Sequence, residues 1–147
     1  MAKVLVATEK AFAKVAVTGI EKIIKDAGME LVLLENYTSQ SDLLKAVADV
    51  DALMVRSDEV TADVIAAAKN LKIVVRAGAG YDNLDLAACT QRGIVAMNTP
   101  GQNSNAVAEL VLGLMIYMAR GKFSGKSGTE LAGKTLGIQA YGHIGKI

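Results

Sequence analysis

Short β-branched runs alternate with helical stretches along the chain: KVLVAT (Lys3 to Thr8), ELVLLE (Glu30 to Glu35), DALMVR (Asp51 to Arg56), KIVVR (Lys72 to Arg76) and IVAMN (Ile94 to Asn98). Compact apolar runs separated by segments of helical period predict parallel strands joined by crossover helices. Between the first two runs, Val15, Ile20, Ile23, Ile24 and Ala27 form a roughly helical apolar stripe. Gly28 is placed to end that helix in a left-handed cap. Later helices are expected to start near Ser41 and near Thr61, where a hydroxyl can accept free first-turn amides, and Gly93 is expected to close the one running through Ala87. The pattern predicts a five-stranded, flavodoxin-like α/β layer over residues 1–98.

The pattern then changes. From Ser104 to Arg120, Val107, Leu110, Val111, Leu114, Met115 and Met118 make one apolar stripe while Leu112, Ile116 and Ala119 cover the other face. A helix apolar nearly all round is expected to be buried on both sides, between two domains or two subunits. GKFSGKSG (Gly121 to Gly128) reads as a polar, flexible connector. KTLGIQ (Lys134 to Gln139) reads as a sixth strand that opens a second domain, so that residues 99–147 hold an interdomain helix and the first strand and turn of an incomplete Rossmann domain.

Composition narrows the classes. With 147 residues, 52% of them hydrophobic, the chain can build an ordinary globular core. Its 16 basic and 15 acidic residues leave a net charge of +1 and form no block of one sign, which argues against a nucleic-acid or membrane surface. The apolar stretch Leu110 to Ala119 is shorter than the roughly 18 residues a membrane span needs. The N-terminus lacks the apolar run of a signal peptide. A cytoplasmic protein is the expectation. The single cysteine, Cys89, reads as small helix packing, and no spacing suggests a metal site.

Two glycine-rich turns carry candidate chemistry. In GIQAYGHIGKI, a strand runs into Ala140, Gly142 and Gly145 at the spacing of a dinucleotide-binding turn whose first glycine is alanine. The added methyl is tolerable only if the backbone torsions of Ala140 stay in the ordinary region. His143, the only histidine, sits inside this turn, where its backbone amide matters more than its ring for an anion. In RAGAGYDN (Arg76 to Asn83), Gly78 and Gly80 allow several amides to face one anion at the carboxyl end of a strand. Arg56 and Ser57 end the preceding strand in the same geometry, so two guanidinium groups could converge on a small, multiply anionic ligand.

Other features have plainer readings. NTPGQNS (Asn98 to Ser104), with the only proline, reads as a rigid hinge in which Asn103 and Ser104 cap the next helix. Glu109, alone on an apolar helix, calls for a structural hydrogen bond. GKFSGKS is one residue short of a phosphate-binding P-loop and follows no strand. A phospho-receiver of the same five-stranded pattern would need an aspartate at the end of its third strand, where this chain has Arg56.

In order, VRS (Val55 to Ser57), RAGAGYDN, NTPGQNS followed by AVAEL (Ala106 to Leu110), and GKTLGIQAYGHIG resemble the D-isomer-specific 2-hydroxyacid dehydrogenases over essentially the whole chain. Within that family the likeness is to the D-3-phosphoglycerate dehydrogenases. The resemblance implies a substrate-binding domain followed by a Rossmann NAD-binding domain, a homodimer, and NAD-dependent oxidation of 3-phosphoglycerate to 3-phosphohydroxypyruvate in serine biosynthesis. It implies that Arg56, Ser57 and Arg76 face the substrate's anionic groups, and that Gly78, Ala79 and Gly80 offer amides to its carboxylate. Ala79 would also lie near the nicotinamide. Ala140, Gly142, His143, Ile144 and Gly145 would form the turn on the NAD pyrophosphate. The family's catalytic arginine, glutamate and histidine come later than Ile147, so the 147 residues alone are expected to be inactive. Two other readings share these residues: a dehydrogenase of another D-2-hydroxy acid, and a truncated, non-catalytic module that binds an anion or oligomerises through the Ser104 to Arg120 helix.

Overall fold

The computed structural model describes all residues from Met1 to Ile147. Five strands, β1 (Lys3–Thr8), β2 (Glu30–Glu35), β3 (Ala52–Val55), β4 (Ile73–Arg76) and β5 (Val95–Met97), pair in parallel in the order β2-β1-β3-β4-β5. This is the flavodoxin-like arrangement. Helices α1 (Lys14–Asp26), α2 (Gln40–Ala46), α3 (Ala62–Ala67) and α4 (Leu86–Gln91) cross between successive strands, and α5 (Ser104–Ala119) follows β5. The chain divides into two compact units, Met1–Thr99 and Pro100–Ile147.

The core of the first unit joins Leu5, Ala7, Leu53, Val55 and Val74 of the sheet to Leu43, Val47, Val64, Ile65, Ala68 and Cys89 of α2, α3, α4 and their ends. Leu5, Leu43, Leu53 and Ile65 are almost fully buried, each contributing roughly 1.5–3 kcal/mol from removal of apolar surface. Cys89 is part of this packing, and burial, with the charge of Asp85 behind it, pushes its thiol up from the usual range.

Both glycines expected to stop helices do so. Gly28 and Gly93 have positive φ, of 68° and 65°, and the residues that follow them bond back across the last turn, Met29 N–H to the Ile24 carbonyl and Ile94 N–H to the Cys89 carbonyl. A Cβ would be strained at either place.

Several local expectations are corrected. The start of α2 is capped by Ser39, whose hydroxyl accepts from the Ser41 amide at 3.2 Å, and not by Ser41. Thr61 does precede α3, yet its hydroxyl makes no cap bond. Of the α1 stripe only Ile24 is buried, while Val15 and Ile23 are largely exposed. The reason is position: α1 lies over the edge strand β2, so a narrow strip of it meets the sheet.

In the second unit α5 forms as expected, but it is not buried on both sides. Leu110, Leu112, Leu114 and Met118 are each at least half exposed, and only Ser104 is buried. Neither Asn103 nor Ser104 makes a side-chain cap bond. The connector folds back on the helix, with the Thr129 amide donating to the Ala119 carbonyl at 2.8 Å and Phe123 meeting Tyr117 edge-on at 5.2 Å. KTLGIQ is not a strand: no segment of this unit supplies a ladder partner, and a strand is defined by pairing. Glu109 is exposed and accepts from Asn105 Nδ2, one turn away, at 2.8 Å.

Candidate functional site

At the carboxyl end of the sheet, β1 and β3 lie side by side with Ala7 opposite Val55. The loops that leave them enclose a cleft of about 210 Å³ lined by Thr8, Glu9, Lys10, Arg56, Ser57 and Asp58. Strand ends on a parallel sheet leave the backbone free to diverge, which is why ligands bind there.

Asp58 organises this end of the sheet. It is 4% exposed, and its Oδ1 accepts from the Glu9 amide and from the Tyr37 hydroxyl, both at 2.7 Å. Its Oδ2 accepts from the Arg56 amide at 3.3 Å, while its backbone carbonyl accepts from Asn83 Nδ2 at 2.8 Å. One buried side chain therefore ties together the loops after β1, β2 and β3, and its peptide holds the loop after β4. Buried polar groups stay buried only when so paired.

Tyr37 records this environment. Burial first, then its hydrogen bond to Asp58 and the charges of Asp58 and Glu9, hold its phenol far above the usual range. Unfolded, the same phenol ionises near pH 10. A folded pKa above the unfolded one means that this contribution to stability is full below about pH 10 and is lost as pH rises from there toward the folded value. Urea unfolding followed from about pH 9 to 11 should accordingly show a midpoint that falls more steeply in the wild type than in Tyr37→Phe. Equal slopes would refute the assignment.

The two arginines have different placements. Arg56 lines the cleft and is exposed. Arg76 does not line the cleft; its guanidinium curls over Gly78, and its Nε donates to the Arg56 carbonyl at 2.9 Å. Its terminal nitrogens make no hydrogen bond within the chain. A Cβ on Gly78 would fall on the Arg76 guanidinium, so glycine at 78 leaves the space through which the arginine reaches its neighbour.

This corrects one expectation. The Gly78 amide is not available to a ligand, because it already donates to the Arg76 carbonyl at 2.8 Å, whereas the amides of Ala79 and Gly80 have no partner in the chain. The loop is held by two residues that the sequence reading gave only as part of a hinge: Asn98 Nδ2 donates to the Ala79 carbonyl at 2.8 Å, and the Thr99 amide to the Gly78 carbonyl at 2.9 Å.

In the second unit the turn at Ala140 to Gly145 has a mixed character. Ala140 has φ +75°, so the condition of ordinary torsions fails and this residue carries left-handed strain of about 1–2 kcal/mol. Gly145 sits so close to the Ala140 carbonyl that a Cβ would meet it at 2.6 Å, while at Gly142 a Cβ would find open space. The amides of Gly142, His143, Ile144 and Gly145 have no partner in the chain. Unpaired successive amides around glycines are the means by which a turn holds a phosphate.

A doubly wound parallel layer with a cleft lined by charged side chains and with free loop amides at its carboxyl edge has the build of a ligand-binding α/β domain. More narrowly, the chain belongs to the D-isomer-specific 2-hydroxyacid dehydrogenases: the profile of that family's catalytic domain matches residues 6–146. It is 45% identical over 139 residues to D-3-phosphoglycerate dehydrogenase of Homo sapiens, covering 85% of this chain and 26% of that protein. It is 44% identical over 131 residues to hydroxypyruvate reductase of Thermotoga maritima, covering 80% of this chain and 43% of that protein. Among solved structures it is similar to NAD+-bound 3-phosphoglycerate dehydrogenase of Entamoeba histolytica, with a TM-score of 0.94 and 50% identity over 99% of this chain and 48% of that one. The chain thus spans about a quarter to a half of the proteins it matches. No helix is long and apolar enough to cross a membrane.

Proposed function

We propose that residues 1–98 are the substrate-binding domain, and residues 99–147 the opening of the NAD-binding domain, of a cytoplasmic, homodimeric D-3-phosphoglycerate dehydrogenase. In this reading the whole protein oxidises 3-phosphoglycerate to 3-phosphohydroxypyruvate, the first step of serine biosynthesis by the phosphorylated route. The observation that carries it is the cleft: Arg56 and Ser57 at the end of β3, with Arg76 seated on the Arg56 backbone and unpaired amides at Ala79 and Gly80. A guanidinium is always charged and matches carboxylate and phosphate oxygens in pairs, so two arginines suit a ligand with two anionic ends.

NAD, when bound, supplies the hydride acceptor. Ala140, Gly142, His143, Ile144 and Gly145 would hold its pyrophosphate through backbone amides, and the four free ones fit that task. In this reading the exposed apolar faces of α5 meet other parts of the whole enzyme or its second subunit.

Calorimetric titration of the chain with D-3-phosphoglycerate and with D-glycerate tests the reading. Tighter binding of the phosphorylated acid is expected, by tenfold or more, because charge-assisted hydrogen bonds to phosphate contribute about 1.5–3 kcal/mol each. Equal affinities would favour a different D-2-hydroxy acid as the substrate.

A further inference from the structure

Arg56 is not the only cation of the cleft. Lys10, which belongs to none of the glycine-rich motifs, lines the same cavity from the neighbouring strand end. We propose that Lys10 is a specificity-determining residue of this anion site, the second positive charge that makes it prefer a phosphate dianion to a carboxylate. The inference rests on the substrate reading above and names a residue that does the discriminating.

The placement of Lys10 is built into the fold. Thr8, the last residue of β1 and 1% exposed, donates its hydroxyl to the Lys10 carbonyl at 2.7 Å. The intervening Glu9 amide is held by buried Asp58 at 2.7 Å, and the same Asp58 holds the Arg56 amide. Two buried side chains therefore fix the backbones that carry both cations, at neighbouring strand ends about 4.8 Å apart in a sheet. The side chain of Lys10 remains exposed and makes no ion pair.

Charge balance explains why a second cation is needed. Glu9 and the buried Asp58 share the cleft lining and have the opposite sign to Arg56, so one guanidinium against two carboxylates leaves no net positive field. A phosphate monoester carries about −1.5 to −2 charge at neutral pH and presents three acceptor oxygens. Arg56 can take two of these as a fork, and a lysine, a compact point charge on a flexible stem, suits the remaining oxygen. A carboxylate has no third oxygen to offer, so Lys10 should be indifferent to it.

The test titrates wild type, Lys10→Met and Lys10→Arg of this chain with D-3-phosphoglycerate and D-glycerate at fixed low salt. Lys10→Met should weaken phosphoglycerate binding about tenfold, or 1.4 kcal/mol, and leave glycerate within about twofold. Lys10→Arg should recover most of the loss. If the wild type binds both acids equally, the substrate reading fails and this inference with it. If the wild type discriminates and Lys10→Met discriminates as well, or loses both acids in equal measure, the reading stands and the role of Lys10 alone is overturned.

Discussion

Replacing Asp58 with alanine is expected to cost roughly 3 kcal/mol of stability, the largest loss from any single polar side chain in the first unit, and to weaken binding of an anion in the cleft. The substitution strands three donors at once: the amides of Glu9 and Arg56 and the hydroxyl of Tyr37. A buried donor left without a partner costs about 1–3 kcal/mol, and the cost falls at the lower end where water can enter, as it can from the cleft. Tyr37 is 9% exposed and has the least access to water, so its hydroxyl should account for most of the loss. Urea unfolding checks the magnitude. Tyr37→Phe in the Asp58→Ala background separates the contributions, because it removes the stranded hydroxyl and should restore part of the stability. Binding should not return with it, since the loops carrying Lys10 and Arg56 are still unpinned. A variant within about 0.5 kcal/mol of wild type would show that Asp58 does not organise the strand ends.

The importance of Asp58 could not be read from the sequence, and the reason is geometric. Besides the nearby Arg56 amide, its side-chain partners lie 49 residues away at Glu9 and 21 away at Tyr37, and only the sheet order brings these together. The sheet itself was legible, because a buried parallel strand needs an unbroken run of apolar residues and leaves that run in the sequence. Lys3–Thr8 and Glu30–Glu35 form over the residues their composition predicts, and the shorter β3 and β5 lose only their ends. Gly28 and Gly93 were legible for a similar reason, since a left-handed stop requires a residue without Cβ.

Local pattern failed where the outcome depends on what a segment packs against. KTLGIQ has the composition of a strand but pairs with nothing, and Val15 and Ile23 repeat at helical spacing on a helix that packs mainly on an edge strand. At the site, motif reading singled out Arg56, Ser57, Arg76 and the glycines because charged residues and residues without Cβ stand out at the end of an apolar run. It gave Lys10 no role and read Asn98 and Thr99 only as part of a hinge, because these are ordinary residue types whose contacts are set by neighbours. Ala140 stands between these cases: the spacing located the turn, but only the torsion of +75° shows that alanine is strained there.

Gly78→Ala should separate fold from function most sharply. Gly78 does not have positive φ, so alanine can adopt its backbone, and the atoms nearest to the methyl it adds are those of the Arg76 guanidinium, the far end of a flexible side chain. Folding stability should hold or rise by about 0.4–1 kcal/mol, because alanine narrows the unfolded ensemble where the native torsions suit it. Arg76, in contrast, must leave its place and give up the Nε bond to the Arg56 carbonyl. If that arginine binds one anionic end of the ligand, D-3-phosphoglycerate affinity should fall by about 30-fold, near 2 kcal/mol, within the range of a lost charged hydrogen bond. Arg76→Ala should fall by a similar amount. The double variant should be no worse than either alone, because both changes remove the same contact and coupled neighbours are not additive. Additive losses in the cycle would mean that Gly78 acts on the ligand directly and not by making room for Arg76. Unchanged affinity in Gly78→Ala together with a large loss in Arg76→Ala would mean that the guanidinium binds equally well from a second position.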